Sequence, residues 1–209
     1  MTPFSDSLFL KIPIIGILRG YSKEQVLKIA KVYHSVGFTN IEITMNTPNV
    51  LEIIEALAKK YEGQLNVGAG TVLSKEEVDE VVARGGQFIV SPVVDVEVIR
   101  YCGSKGIPIF PGAYSPSEIY VAWKEGARMV KVFPARNLGV DYIRDVLAPL
   151  DDLELLPTGG VTLENIQQYL RAGAKGFGLG GNLFNHQMIQ DKNWEALAGH
   201  FEAFKKLFE

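Results

Sequence analysis

Several features that would narrow the class of this protein are scarce or missing in its 209 residues. Cys102 is the single cysteine, so no disulfide can form within the chain, and this fits a reducing compartment. Basic residues are not in excess, because the chain has 21 lysines and arginines and 24 aspartates and glutamates. The formal net charge of -3 at pH 7, with no basic stripe, argues against general nucleic-acid binding.

Long uncharged apolar runs are missing too. The stretch "MTPFSDSLFLKIPIIGILRG" is interrupted by Lys11 and Pro13, and Asp6 stands where a secretory signal would carry basic residues. We therefore expect no signal peptide, no membrane contact and a cytoplasmic location. Histidine, cysteine and carboxylate residues form no cluster with metal-ligand spacing, so no metal is predicted. The three histidines are expected to lie away from any site: His34, His186 and His200.

What the sequence does contain is an alternation of short apolar, β-branched runs with amphipathic segments. The runs start roughly 20 to 28 residues apart, the repeat expected of a strand followed by a helix. They cover residues 12–19, 40–46, 65–71, 87–92, 107–112, 129–134, 153–160 and 176–181. Eight such units predict an α/β protein with a single domain, residues 1–209, folded as a (β/α)8 TIM barrel.

A doubly wound open sheet is the competing fold. It would normally show a glycine-rich dinucleotide turn after the first strand, and "GILRGYS" is not one. Helix signals suit either fold. For the first long helix, Ser22 and Gln25 form a capping-box pattern at the start and Gly37 marks the end. Pro48 is near the first turn of the next helix, and Ser74 is the predicted N-cap of the one after it.

In a (β/α)8 barrel the active site lies at the carboxyl ends of the strands. Several of these ends carry polar groups that do not belong in a core. They are Arg19, Glu42, Asn46, Thr71, Ser91, Lys131 and Thr158. The barrel interpretation therefore places all of these groups around one mouth.

Lys131 lies in the middle of the apolar run "MVKVFP". Because strand side chains alternate, an inward Lys131 places Met129 and Phe133 inward and leaves Val130 and Val132 facing the helices. Burial lowers the pKa of a lysine toward neutrality, and a neutral amine can attack a ketone and form a Schiff base. The alternative is that the ammonium reaches an edge or forms a structural ion pair.

Glu42 lies in "NIEITMN", where the same alternation places Glu42, Thr44 and Asn46 on the inward face. A partly desolvated carboxylate close to the reacting carbon can act as a general base. The alternative is a carboxylate that only balances the charge of Lys131 or Arg19. Arg19 itself ends the first strand and offers a donor fork suited to carboxylate or phosphate.

Two glycine pairs follow the last two strands, in "PTGGVTLEN" and "GLGGNLF". In (β/α)8 barrels these loops often bind phosphate through backbone N–H groups, and glycine allows the backbone to approach the anion. The pattern predicts a phosphate site. The alternative is that the glycines only serve tight turns.

The ordered motifs "GILRG", "IEIT", "VGAGTVL", "FIVSP", "IPIFPG", "VKVFPA", "LPTGGVT" and "GLGGNLF" span nearly the whole chain. Together they resemble the class I aldolases that act on 2-keto-3-deoxy-6-phosphogluconate and 4-hydroxy-2-oxoglutarate. The resemblance implies a Schiff-base lysine at Lys131 and an acid/base glutamate at Glu42. It implies substrate-binding positions at Arg19, Thr71, Pro92, Phe133, Asn46 and Thr158. It implies a phosphate site at Gly159, Gly160, Gly180, Gly181 and Asn182.

The resemblance further implies a cofactor-free homotrimer whose partner is a small phosphorylated keto-sugar acid. The expected reaction cleaves 2-keto-3-deoxy-6-phosphogluconate to pyruvate and glyceraldehyde 3-phosphate, with 4-hydroxy-2-oxoglutarate as a further candidate substrate. Two positions point to different sugars. Asn46 replaces an arginine common in the gluconate enzymes and is similar to the 6-phosphogalactonate aldolases, whereas Thr158 is similar to the gluconate branch. The 6-phosphogalactonate aldolase therefore stays an alternative.

The same sequence argues against other classes of protein. A ribulose-phosphate epimerase would need metal-binding histidines and aspartates at strand ends, and a decarboxylase would need an Asp/Lys array. Neither pattern is present in the sequence. A non-catalytic sugar-phosphate-binding protein would keep the phosphate loops but would not require both Lys131 and Glu42.

Overall fold

A curved parallel sheet surrounded by helices organises the chain, of which this computed structural model describes residues 2–209. The strands are β1 (Ile14–Leu18), β2 (Asn40–Thr44), β3 (Asn66–Gly70), β4 (Phe88–Val90), β5 (Ile109–Phe110), β6 (Gly112–Ala113), β7 (Val130–Val132), β8 (Leu155–Pro157) and β9 (Phe177–Leu179). The helices are α1 (Asp6–Phe9), α2 (Lys23–Val36), α3 (Val50–Lys60), α4 (Lys75–Ala83), α5 (Val96–Ser104), α6 (Pro116–Lys124), α7 (Gly139–Leu147), α8 (Ile166–Arg171), α9 (His186–Gln190) and α10 (Trp194–Lys205). A 3-10 helix, Ala135–Asn137, follows β7.

The strands pair in two parallel sheets. One has the order β5-β4-β3-β2-β1-β9 and the other the order β6-β7-β8. Pro111 separates β5 from β6 and has no N–H to donate to a ladder, while β8 and β9 meet at an isolated parallel bridge between Thr158 and Gly178. The structure thus confirms an α/β fold with a curved parallel sheet, but it does not show the continuous eight-stranded ladder of the predicted barrel.

Local signals set the helix boundaries largely as predicted. The Ser22 side chain accepts from the backbone N–H of Gln25, whose side chain accepts from the Ser22 N–H, and α2 ends at Gly37 with φ of 109°. Ser74 caps α4. Pro48 immediately precedes Asn49, the N-cap of α3, and so lies near the first turn of this helix.

The core has two layers, which follow from strand alternation. Outward-facing strand residues such as Val130 and Val132 pack under the helices in the larger cluster. Met129 belongs to a separate inner cluster, and the predicted alternation along β7 is confirmed. The inner cluster consists of Phe9, Ile15, Phe88, Val90, Phe110, Met129 and Leu156, with Phe4 packed against it.

The amino end of the sheet is closed by the N-terminal segment and an asparagine pair. Asn40 Nδ2 lies 3.4, 3.2 and 3.4 Å from the carbonyl oxygens of Phe9, Ile12 and Ile14. Asn66 Nδ2 donates to Asn40 Oδ1 at 2.9 Å, and both asparagine side chains are fully buried. The pair ties the N-terminal segment to the amino end of the sheet, which leaves the carboxyl ends of the strands open to solvent for a site.

Replacing Asn40 by alanine is expected to lower the free energy of unfolding by about 3 kcal/mol, because it removes several hydrogen bonds and leaves buried carbonyl groups unpaired. Urea unfolding followed by circular dichroism measures this loss. The Asn66→Ala variant and the double variant complete a cycle. We expect the double variant to lose less than the two single losses combined; additive losses would show that the two amides do not act as a pair.

Within residues 2–209, none of the helices combines the length and the hydropathy that crossing a bilayer demands. In the same part of the chain, no group of three or more histidine, cysteine, aspartate or glutamate side chains is placed to hold a metal ion. Cys102 is buried in α5, and burial raises the pKa of its thiol to about 12.

Candidate active site

A cavity of about 440 Å³ opens at the carboxyl ends of β1, β2, β7, β8 and β9. This volume suits a small organic ligand. Of the residues predicted from sequence, it brings together Arg19, Glu42, Lys131, Phe133, Thr158, Gly159, Gly160, Gly180, Gly181 and Asn182. Ten of the residues predicted from separate parts of the sequence therefore line one cavity.

Three positions predicted to bind substrate do not line this cavity, and neither does Ser91, which was predicted at the same mouth. Thr71 follows β3 with φ of 61°, an uncommon left-handed conformation for threonine. Asn46 is exposed, and its Oδ1 accepts a hydrogen bond from Thr44 at 2.7 Å. Pro92 is half-buried, and its carbonyl packs against Gly112. Their roles in substrate binding stay predictions.

Lys131 lies at the base of the cavity, where β7 holds it with 6% of its surface exposed. Its Nζ is 4.7 Å from the centroid of the Phe133 ring. Desolvation lowers the pKa of the ammonium, and the positive charge of Arg19 adds to this, while Glu42 opposes it. Lys131 is thus shifted toward the neutral amine.

Glu42 is 2% exposed, and its Oε2 is buried without a hydrogen-bond partner in the described chain. Desolvation raises the pKa of this carboxyl, although the positive charges of Lys131 and Arg19 oppose the shift. No ion pair within 4.0 Å joins Glu42 to Lys131 among residues 2–209. A structural ion pair would have satisfied this oxygen, so the contact geometry favours a chemical role for both groups.

Two glycines make room for the polar groups of the site. A Cβ at Gly70, on the neighbouring strand β3, would overlap the Glu42 carboxyl. A Cβ at Gly178 would overlap the Thr158 hydroxyl, which lies 3.4 Å from the Leu156 carbonyl. Small residues on the neighbouring strands thus let both side chains occupy the cavity wall.

The two glycine loops present free backbone donors. Gly159 and Gly160 have φ of 87° and 89°, a conformation that glycine adopts readily. Asn182 Nδ2 donates to the Val161 carbonyl at 2.7 Å, which joins one loop to the other. Within residues 2–209, the backbone N–H groups of four lining residues donate no hydrogen bond: Gly160, Val161, Gly181 and Asn182. Free N–H groups on one wall favour an anion.

Among the lining residues that were not predicted, three carry titratable side chains: Tyr21, Arg136 and His186. The expectation that His186 lies away from the site is wrong, because α9 starts at His186 directly after the loop from β9. Its ring centroid is 6.3 Å from that of Tyr21. Arg136 follows β7 by four residues, so its place after a strand end was the available signal.

A buried lysine and a buried carboxyl on one cavity, beside free backbone donors, suit the formation of an imine with a phosphorylated ketone. The family described as "Aldolase: KDPG and KHG aldolase" matches residues 6–199, and the chain belongs to this family. Its relatives are named as aldolases, so the chain is a carbon–carbon lyase.

Three similar proteins illustrate the family. The 2-dehydro-3-deoxy-6-phosphogalactonate aldolase of Escherichia coli (strain K12) is 34% identical over 94% of this chain and 96% of its own length. A solved structure described as "Native KDPGal structure" aligns with a TM-score of 0.88 at 33% identity, over 100% of this chain and 97% of that one. The KDPG aldolase from Legionella pneumophila, with pyruvate captured as a covalent carbinolamine, aligns with a TM-score of 0.86 at 26% identity, over 94% and 96%.

Proposed function

We propose that this chain cleaves 2-keto-3-deoxy-6-phosphogluconate to pyruvate and glyceraldehyde 3-phosphate through a Schiff base on Lys131. One observation carries the proposal: Lys131 and Glu42 are both buried, face one cavity and have no direct ion pair within 4.0 Å in residues 2–209. The covalent carbinolamine of pyruvate in the Legionella relative supports the same chemistry.

The first step is nucleophilic attack by the Lys131 amine on the C2 ketone. Its lowered pKa increases the fraction of neutral amine. Loss of water from the carbinolamine gives a protonated imine, which draws electrons from the C3–C4 bond. The cation–π contact between Lys131 and Phe133 places the aromatic ring beside this developing charge.

The second step is proton transfer by Glu42. The carboxylate takes the proton of the C4 hydroxyl, the C3–C4 bond breaks, the aldehyde leaves, and the electron pair moves to the nitrogen as an enamine. The protonated Glu42 then returns the proton to C3, and water hydrolyses the imine to free pyruvate. A raised pKa suits a group that must both accept and return a proton near neutral pH.

The other polar groups that line the cavity can bind the negative charges of the substrate. The N–H groups of the two glycine loops are the proposed ligands of the phosphate, and Arg19 binds an anionic end. Holding the substrate at more than one point fixes the scissile bond against Glu42, and such positioning can supply several kcal/mol. Thr71, Pro92 and Asn46 are left as proposed contacts outside this cavity.

The 6-phosphogalactonate epimer is the second candidate substrate. It is favoured by the names of the Escherichia coli relative and the KDPGal structure, and by Asn46. Thr158 supports the gluconate epimer and lines the cavity, whereas Asn46 does not. Because Thr158 lines the cavity, we propose the gluconate epimer as the preferred substrate. We propose 4-hydroxy-2-oxoglutarate, which has no phosphate, as a weaker substrate.

A coupled assay that detects pyruvate, run with each epimer and with 4-hydroxy-2-oxoglutarate, tests the proposal. Higher kcat/KM on the gluconate epimer is expected. A preference for the galactonate epimer would establish the second candidate. Binding without pyruvate formation from any of the three would point to a non-catalytic sugar-phosphate-binding protein.

Three further proposals accompany this function. The two sheets are proposed to be arcs of one (β/α)8 barrel, which the Thr158–Gly178 bridge and the short gap at Pro111 support. The chemistry above requires no cofactor. A homotrimer is proposed from the resemblance, and exposed apolar side chains are available for association: Leu73, Val93, Tyr114, Tyr120 and Val121.

Gly70→Ala is expected to lower kcat about 100-fold, because its Cβ would displace the Glu42 carboxyl from the cavity and misplace the base. Gly103→Ala is the matched control, since a Cβ at this position in α5 meets nothing within 4 Å. The control should keep full activity and gain about 0.5 to 1 kcal/mol of stability. A folded Gly70→Ala variant with normal kcat would show that the place of Glu42 is not critical.

A further inference from the structure

Arg136 is a cation at the rim of the cavity to which the family motif gives no role, because "VKVFPA" ends one residue before it. It is exposed, and none of the ion pairs within residues 2–209 includes it. Three of the five other exposed arginines, Arg84, Arg100 and Arg144, pair with a carboxylate. Its guanidinium is therefore available to a ligand.

The backbone that carries Arg136 is fixed at the cavity. The preceding residue, Ala135, is buried, and its N–H donates to the Thr158 carbonyl at 2.9 Å. The Ala135 carbonyl lies 3.5 Å from the Tyr169 hydroxyl. The 3-10 helix thus holds the Arg136 backbone against the end of β8, and only the side chain beyond it is free to adjust.

The stem of Arg136 lies directly on the first glycine loop. A Cβ at Gly160 would be 2.7 Å from Arg136 Cβ and 2.9 Å from its Cα. Gly160 is therefore needed for close packing as well as for its φ of 89°. The arginine and the free N–H groups of Gly160 and Val161 line the same part of the cavity.

We propose that Arg136 binds the phosphate of the substrate and thereby sets the preference of this chain for phosphorylated over unphosphorylated keto acids. The guanidinium fork can donate two hydrogen bonds to phosphate oxygens while the loop N–H groups occupy others. This inference rests on the proposed function for the identity of the phosphorylated ligand. It needs neither Lys131 nor Glu42, so binding alone can test it.

The test is isothermal titration calorimetry with glycerol 3-phosphate, a stable analogue of glyceraldehyde 3-phosphate without the carbonyl group, on four proteins. These are the wild-type chain, Arg136→Ala, Arg136→Lys and the control Arg171→Ala, which removes an exposed arginine of α8 that does not line the cavity. We expect Arg136→Ala to raise Kd about 10-fold, as loss of a charge-assisted hydrogen-bonded contact does, with a smaller rise for Arg136→Lys. Arg171→Ala should stay within about twofold of wild type.

Kinetics supply the second readout. The ratio of kcat/KM for the phosphorylated substrate to that for 4-hydroxy-2-oxoglutarate should fall about 10-fold in Arg136→Ala, through KM. Unchanged glycerol 3-phosphate binding, or an equal loss on both substrates, would overturn the inference. If the wild-type chain cleaves none of the substrates while glycerol 3-phosphate binding still depends on Arg136, the proposed cleavage fails and the inference about Arg136 stands.

Discussion

Replacing Lys131 by methionine is expected to lower retro-aldol turnover about 10,000-fold or more while the protein stays folded. The variant keeps a similar apolar stem but loses the nucleophile, and removal of a covalent nucleophile is among the most damaging changes to an enzyme. The loss should be in kcat, measured by pyruvate release. Residual turnover near the wild-type value would exclude the Schiff base.

The free energy of unfolding of Lys131→Met should show whether Lys131 has a catalytic or a structural role. Because burial lowers the pKa of Lys131, the charged amine destabilises the native state at pH values below its native pKa, and this effect fades as the pH rises toward the unfolded pKa of about 10.4. The free energy of unfolding of Lys131→Met at pH 7 should therefore equal or exceed that of wild type. Lys124→Met is the control, since Lys124 is exposed on α6 and should affect neither property. A large loss of stability in Lys131→Met would identify the lysine as a structural partner.

Glu42→Gln is expected to lower kcat by a factor of about 100 to 10,000, the usual range for loss of general acid–base catalysis. The amide keeps the shape of the carboxyl but cannot accept the C4 hydroxyl proton. Imine formation with pyruvate should persist, because Lys131 is retained. Pyruvate release under single-turnover conditions measures the first effect, and wild-type turnover would show that Glu42 is structural.

The pH dependence of stability gives this variant a second signature. The native pKa of Glu42 is raised, so the native state binds this proton more tightly than the unfolded chain does. The contribution of Glu42 to stability is thus fully present below the unfolded pKa of about 4.3 and is lost as pH rises through the native pKa. Relative to wild type, Glu42→Gln should gain stability over that window, whereas Glu80→Gln on exposed α4 surface should not. A gain that grows toward low pH would contradict the raised pKa.

The sequence predicted that Lys131 and Glu42 face the same side of the sheet because strand alternation is a strong constraint. A charged residue inside an apolar strand can face only one of two sides, and the valines beside Lys131 left the inward side for it. The same reasoning placed Glu42 on the inward face of β2. The glycine loops were predicted from their position after the last two strands. Both loops carry free backbone N–H groups, and the glycines of the first loop, Gly159 and Gly160, have positive φ.

The sequence could not predict which loop residues enter the site, because this depends on the path of each loop. Arg136 and His186 are exposed residues beyond strand ends, and such residues carry no periodic signal that tells the site from ordinary surface. Asn46 was assigned by extending the alternation of β2 past its end at Thr44, where the backbone turns. The run 107–112 was predicted as one strand, whereas the structure divides it at Pro111 into β5 and β6, because their registers pair them with different neighbours.

Trapping with borohydride in the presence of pyruvate, followed by peptide mass analysis, tests the central claim most directly. The account predicts a stable reduced adduct on the peptide that contains Lys131, in the wild-type chain and in Glu42→Gln, and no adduct in Lys131→Met. An adduct on another lysine, or none in folded wild-type protein, would contradict the proposal that Lys131 is the residue that forms the imine.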